Sequence, residues 1–155
     1  MALKFGVEFR AFSVTTENKG QVEDEQLALL QSRRIDFIVL ARYMQILSER
    51  FVRTYPNRII NIHHAFLPAF PGVRPYHSAR ERGVKIIGAT SHYVTEALDT
   101  GPIIEQDVLR VTHRQSVQDL MRFGRDLEKV VLSRAIGNHL AWKIIVHRGR
   151  TIVFD

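Results

Sequence analysis

The pattern of apolar and polar positions alternates between strand-like and helix-like segments along the chain. Residues 35–41 (IDFIVLA) form an apolar run, which is typical of a strand buried on both faces of a parallel sheet. Residues 21–34 place their leucines and Val22 on or near one stripe, so they predict a helix. Strands that alternate with helices in this way predict an α/β layered domain.

Further strands are predicted from short apolar or alternating segments. Residues 58–62, 84–94 and 103–111 have the length and composition of buried strands. Residues 7–14 alternate Val, Phe and Ala with Glu and Arg, so they also look extended. The polar residues 15–20 then predict a turn before the first helix.

Two short helices are predicted from their end signals. Ser48 is a suitable N-cap for a helix that Pro56 ends. Pro75 suits the first turn of a second helix, and Gly83 suits the position just after its last residue.

The last third of the chain predicts a long helix followed by a hairpin. An amphipathic pattern runs over residues 116–142, and Ser116 with Asp119 resembles a capping box at its start. Residues 144–146 and 151–154 flank an Arg-Gly pair, as in a two-stranded hairpin.

Composition narrows the class of protein. The length of 155 residues predicts a single domain, and 45% apolar with 25% charged residues is ordinary for a globular chain. The absence of cysteine excludes disulfides, thiolate metal sites and a cysteine nucleophile. No apolar run predicts a membrane helix, and the first residues do not resemble a signal peptide, so a cytoplasmic protein without membrane contact is expected.

The chain is basic, with 22 Lys and Arg against 16 Asp and Glu and a net charge of +6. Such an excess suits an anionic partner, or it serves only to keep the surface soluble. The basic residues are scattered and no basic stripe carries interleaved aromatic residues, so nucleic-acid binding is not predicted.

Candidate chemistry collects where predicted strands end. Asn61, His63 and His64 follow one strand, and Asp99 lies in the LDTGP turn after another. An amide that donates to an oxyanion, an imidazole that titrates near pH 7 and a carboxylate that orients water form a plausible set for acyl chemistry. Asn61 and Asp99 are equally natural turn residues, so this alternative stays open at this point.

A metal site is not predicted. Neighbouring side chains of an extended segment point to opposite faces, so His63 and His64 cannot readily bind one ion. The chain also lacks the His-Glu-x-x-His spacing of zinc hydrolases.

Two long segments carry a resemblance to a known family. Residues 61–72 (NIHHAFLPAFPG) and 88–108 (GATSHYVTEALDTGPIIEQDV) resemble the catalytic core of the formyltransferases that use 10-formyltetrahydrofolate, and among them the hydrolytic members most closely. Residues 36–48 (DFIVLARYMQILS) and 74–95 (RPYHSARERGVKIIGATSHYVT) also fit the pattern. The resemblance implies a single Rossmann-like domain of formyltransferase type over residues 1–155, with a largely parallel sheet flanked by helices.

The resemblance implies a reaction and catalytic residues. Asn61 and His63 match the family's Asn-x-His pair, and Asp99 matches its catalytic Asp. Water would attack the formyl carbon of 10-formyltetrahydrofolate, with Asn61 and protonated His63 stabilising the oxyanion and Asp99 taking the proton from water. The folate is then the substrate, and neither a metal nor another cofactor is expected.

Further residues are implied around this set. His92 matches a family histidine near Asp99 that serves as an orienting group, and His64 stands where the related transferases usually carry Pro, so it marks the hydrolytic members. Two segments would hold the pterin ring of the substrate, at Met44, Gln45, Leu47, Val94, Thr95, Glu96 and Leu98. Arg42 and Arg74 are candidates for the carboxylates of a folate.

The resemblance also raises expectations about assembly. Hydrolytic members of the family carry a regulatory domain, a strand and a helix ahead of the part that this chain resembles. The strand at residues 35–41 would then expose an edge, and a homo-oligomer that covers this edge is expected. Formyl transfer to an amine acceptor, and a folate-binding chain without turnover, remain alternative functions.

Overall fold

The computed structural model describes residues 2–68 and 75–155 of the chain. The described residues divide into two compact units, one before and one after the bond between Asp36 and Phe37. Among the residues described, no helix combines the length and apolar character needed to span a membrane.

The first unit contains a 3-10 helix at Ala2–Phe5 and the helix α1 at Lys19–Ser32. The strand predicted at residues 7–14 is wrong, because this segment adopts no regular structure. Its alternating apolar side chains are exposed instead of packed against a neighbouring strand. The Asn18 side chain donates to Ser13 O at 3.0 Å and accepts from Thr15 N at 2.7 Å, which turns the chain into α1.

The described part of the second unit contains a four-stranded sheet, three helices and a separate hairpin. The sheet has the order β1-β2-β3-β4, with strands at Ile38–Leu40, Ile59–His63, Ile86–Tyr93 and Ile103–Arg110. The helices are α2 at Glu49–Thr54, α3 at Pro75–Glu81 and α4 at Val117–Leu140. The hairpin consists of β5 at Ile144–His147 and β6 at Arg150–Val153.

The α/β class is confirmed, whereas the expectation of a largely parallel sheet is wrong. β1 pairs with β2 in parallel, and the pairs β2–β3 and β3–β4 are antiparallel. Residues 94–102, which join β3 to β4, are too few for the crossover that a parallel pair needs. The predicted interior strand at residues 35–41 is reduced to the three half-buried residues of β1, at one edge of the sheet.

The helix α4 covers one face of the sheet. Ala135 of α4 clusters with Ile60, Tyr93 and Ile104 from β2, β3 and β4. Leu120, nearer the start of α4, packs with Ile87 at the other end of β3. β3 is buried along nearly its whole length, so its second face is also covered. Part of the candidate site lies on this strand.

The start of α4 offers a direct test of the fold. The Ser116 hydroxyl accepts from the backbone N–H of Asp119, and the Asp119 carboxylate accepts from Ser116 N, as the sequence predicts. We expect Ser116→Ala to lower the free energy of unfolding by about 1 kcal/mol, because it removes this cap. Urea denaturation measures this change in the free energy of unfolding. The control is Ser133→Ala on the exposed side of α4, and an equal loss in both variants would contradict the prediction.

Candidate active site

β2 and β3 place three polar side chains next to one another. Asn61 and His63 lie two residues apart on β2, so their side chains share one face of the sheet. Asn61 is the register partner of His92 on β3, and its Nδ2 lies 3.3 Å from Nε2 of His92. The strand pairing alone therefore assembles an amide and two imidazoles.

The loop after β3 brings a carboxylate to this group. Asp99 Oδ2 lies 3.3 Å from Nδ1 of His63, and Oδ1 lies 3.5 Å from Nε2 of His92. Its side chain is 22% exposed, so it also reaches solvent. The backbone of Asp99 has a φ of 53°, a left-handed conformation that Asp and Asn tolerate better than most residues. The structure thus joins the predicted Asn61, His63, His92 and Asp99 into one cluster.

A close backbone approach holds the Asp99 loop against β3. Tyr93 N donates to Pro102 O at 2.9 Å. A Cβ on Gly101 would overlap the Tyr93 carbonyl oxygen and lie 3.3 Å from Nδ1 of His92, so only glycine fits. Within the loop, Thr100 Oγ1 donates to Ala97 O at 3.1 Å.

His92 is almost fully buried and its two nitrogens have different partners. Nδ1 lies 2.9 Å from Tyr93 O, and because a carbonyl can only accept, Nδ1 carries the proton. In the neutral ring Nε2 then accepts from Nδ2 of Asn61, which fixes the orientation of that amide. His92 thus orients the Asn61 amide, whereas a neutral Nε2 has no hydrogen to donate to Oδ1 of Asp99, 3.5 Å away, so a role of His92 in orienting the carboxylate stays a prediction.

His63 presents one unpartnered nitrogen. Nδ1 faces the Asp99 carboxylate and so carries a proton, whereas Nε2 is buried without a hydrogen-bond partner among the described residues. Burial is the largest influence on the pKa of His63 and lowers it; the charge of Asp99 raises it, and His64 and His92 lower it further. The carboxylate of Asp99 favours the charged form of His63, but burial outweighs this effect and the pKa of His63 is lowered.

The loop after β2 is fixed by hydrogen bonds to the sheet. Thr90 Oγ1 donates to Ala65 O at 2.8 Å, and accepts from Leu67 N at 3.0 Å and from Nε2 of Gln106 at 2.8 Å. His64 lies at the start of this loop, and its ring stacks on that of His63 with centroids 5.0 Å apart.

The residues predicted to hold the pterin ring occupy the two flanking loops. Residues 41–48 leave the sheet after Leu40, which is the register partner of Asn61. In these loops Leu47 is buried, whereas Met44 and Leu98 are 72% and 63% exposed. The binding roles of Met44, Gln45, Leu47, Val94, Thr95, Glu96 and Leu98 stay predictions.

Three of the residues predicted to contact the folate are charged: Glu96, Arg42 and Arg74. The Glu96 carboxylate pairs with Arg53 of α2 at 2.9 Å, so in this structure it is engaged by a cation. Arg42 lies just after β1 with a φ of 54°, and Arg74 lies outside the described residues.

In a chain without cysteine, clusters of His, Asp and Glu side chains are the groups that could hold a metal ion. Among the residues that the structure describes, no three His, Asp or Glu side chains are grouped as metal ligands.

Sequence reasoning missed Thr90, Gly101 and Tyr76. Thr90 lies two residues before His92, so strand alternation places it on the same face, and this signal was available. The close approach at Gly101 and the packing of Tyr76 near His64 depend on tertiary contacts that no spacing in the sequence reveals.

Comparison with known proteins gives a consistent match. Residues 4–136 match the formyl transferase family. The chain is 60% identical over 154 residues to the formyltetrahydrofolate deformylase of Synechocystis sp., covering 99% of this chain and 54% of that protein. The chain spans about half the length of the curated relatives that it matches.

Solved structures agree in fold. The crystal structure of a formyltetrahydrofolate deformylase from Pseudomonas syringae is 50% identical with a TM-score of 0.95, covering 99% of this chain and 51% of that one. A glycinamide ribonucleotide transformylase from Symbiobacterium toebii is 32% identical with a TM-score of 0.89, covering 99% of this chain and 73% of that one. The predicted formyltransferase type of fold is confirmed.

Proposed function

Because this chain belongs to the formyl transferase family, we propose that it carries the machinery to hydrolyse 10-formyltetrahydrofolate to formate and tetrahydrofolate. One observation supports this most: the Asp99 carboxylate lies between two imidazoles, and Nε2 of His63 is buried with no hydrogen-bond partner in the part of the chain that the structure describes. A buried polar atom without a partner is costly; a ligand donor would satisfy Nε2 of the neutral ring, and an oxyanion would satisfy it once His63 is protonated.

The first step is attack of water on the formyl carbon, which turns the carbonyl oxygen into an oxyanion. The second N–H of the Asn61 amide and the Nε2–H of protonated His63 stabilise that charge. Because burial lowers the pKa of His63, its second proton is taken up from solvent as negative charge develops beside Nε2. The pKa shift of the free protein therefore favours a neutral ring until substrate binds.

Asp99 accepts the proton that the attacking water loses, since it is the partly exposed carboxylate of the cluster. The carbon–nitrogen bond of the tetrahedral intermediate then breaks. The departing nitrogen takes the Nε2 proton of His63, and the carbon fragment leaves as formic acid, which ionises. Asp99 returns its proton to solvent, so water and the formyl amide are consumed and both products are balanced.

Binding of the folate is proposed for the two flanking loops. The main chain around Met44, Gln45 and Leu47 would bind one side of the pterin, and the loop at Val94, Thr95, Glu96 and Leu98 the other. We propose that the folate is the substrate and that no further cofactor takes part, because hydrolysis of an amide needs no redox group and the chain's own Asp99, His63 and Asn61 supply the base and the oxyanion donors. The predicted homo-oligomer and cytoplasmic location stay predictions.

The test is formate release by the purified chain. We expect formate and tetrahydrofolate from 10-formyltetrahydrofolate without any amine acceptor, measured by an enzyme-coupled formate assay. The second arm adds glycinamide ribonucleotide, because one similar structure is a transformylase acting on it. Faster transfer than hydrolysis would contradict the proposal, and folate binding without turnover would favour the alternative of a binding chain.

A further inference from the structure

Tyr76 lies in the first turn of α3, with its ring half-buried beside α4. Its hydroxyl donates to Oε1 of Glu128 on α4 at 3.2 Å. Burial and the charge of Glu128 raise the pKa of Tyr76, so the hydroxyl keeps its proton and remains a donor. The phenol is therefore tied to α4 by a charge-assisted hydrogen bond.

A glycine on α4 makes room for this ring. A Cβ on Gly124 would overlap the Tyr76 hydroxyl and lie 2.7 Å from Cε1 of the ring. Glycine in the middle of a helix is less stable than alanine by roughly 0.5–1 kcal/mol, so this notch comes at the expense of helix stability. Gly137, on the same helix, has nothing within 4 Å of the same atom position, which makes it a matched control.

The Tyr76 ring leads from this anchor to the candidate site. Its centroid lies 6.2 Å from that of His64, and the planes are tilted by 35°. His64 in turn stacks on His63 with centroids 5.0 Å apart and planes only 22° from parallel. Tyr76, His64 and His63 thus form a continuous row of rings, which we call the ring column, from α4 to the unpartnered Nε2.

We propose that Tyr76 is a positioning residue of the site: anchored by Glu128 in the Gly124 notch, it holds His64 against His63 and so fixes the ring that faces the substrate. Its catalytic consequence rests on the proposed function, whereas the column itself does not. Because Nδ1 of His63 is already held by Asp99, one further contact on the ring face is enough to define its orientation.

The charged groups around the ring column determine whether the pKa of His63 should rise or fall when Tyr76 is lost. His63 faces Asp99, His92 and His64, and Tyr76 faces Glu128 and Arg125. Loss of the Tyr76 ring would admit water to His63 and release His64 from its fixed position. Both changes raise the pKa of His63, since burial and His64 each lower it in the intact structure.

The experiment follows the imidazole of His63 by NMR titration, which needs no turnover. We expect the pKa of His63 to rise in Gly124→Ala and in Tyr76→Ala, and to stay unchanged in Gly137→Ala. Tyr76→Phe keeps the ring and should shift it less than Tyr76→Ala, which also covers the case that Tyr76→Ala folds poorly. Melting temperatures of all variants separate a local change from loss of the fold.

A double-mutant cycle tests whether Gly124→Ala acts on His63 through Tyr76. If Gly124→Ala acts by displacing Tyr76, it should add no further shift in a Tyr76→Ala background. Formate release should fall about 10-fold in Gly124→Ala, as expected when a reacting group loses its alignment. An unchanged His63 pKa in Gly124→Ala and Tyr76→Ala, an equal shift in Gly137→Ala, or additive shifts would overturn the proposal. Formate release absent from the wild-type chain would instead overturn the proposed function and leave the titration result valid.

Discussion

Asp99→Asn should lower the rate of formate release by on the order of 10²–10⁴-fold, the usual range for a positioned acid–base group. Water is a weak nucleophile at neutral pH and must lose a proton as it attacks the formyl carbon. Asp99 is the carboxylate placed to take it, and it also touches Nδ1 of His63 at 3.3 Å. Asn keeps the size of the side chain but has neither the charge nor the basicity.

The backbone conformation at Asp99 suits Asn as well, so this substitution should change the chemistry of the side chain without changing the loop. Asp99 has a φ of 53°, and Asn adopts such a conformation at least as well as Asp, so the loop should keep its shape. Folate affinity and melting temperature should then change little while turnover falls. Asp107→Asn is the matched control, because it makes the same chemical change in an exposed ion pair with Arg134.

Two outcomes would contradict this role. Near-normal turnover in Asp99→Asn would remove the carboxylate from the proton transfer. A joint loss of turnover, folate affinity and melting temperature would show that Asp99 acts by shaping the LDTGP turn, the alternative that the sequence left open.

Elements with strong local signals could be predicted from the sequence. The capping box at Ser116, the N-cap at Ser48 and the hairpin at residues 144–153 are formed as expected, because neighbouring residues determine them. The antiparallel direction of β4 could have been inferred from the short connection after β3, whereas the direction of β3 could not, since it depends on how β3 returns beside β2. The alternation in residues 7–14 was misleading for a related reason: a strand needs a partner, and sequence periodicity does not supply one.

The candidate site likewise has features that the sequence predicts and features that arise only in the folded structure. Asn61, His63, His92 and Asp99 could be named because they lie in a long, recognisable motif, and the structure brings them together. The balance of forces on His63 could not be predicted. The sequence places a carboxylate near it, which alone raises its pKa, but the burial that lowers the pKa arises only when the loops close over β3.

Gly101→Ala should reduce formate release by about 100-fold or more although it changes no polar group of the site. The new Cβ would overlap the Tyr93 carbonyl oxygen and lie 2.9 Å from its carbon, both of which are backbone atoms of a buried strand. The loop must then move away from β3. Because Asp99 lies two residues earlier, a shift of about 1 Å in its carboxylate is enough for such a loss.

Stability should fall with activity in this variant, by about 1–3 kcal/mol, as is usual for overpacking next to rigid structure. Gly137→Ala is again the control, because its Cβ meets open space and it should be neutral or stabilising.

Combining Gly101→Ala with Asp99→Asn shows whether the loop acts on turnover by placing the Asp99 carboxylate. If Gly101 matters by placing Asp99, it should reduce turnover little further once the carboxylate is gone. A full additional 100-fold loss in the double variant would mean that the loop serves His92 or the folate instead, since Gly101 also approaches Nδ1 of His92.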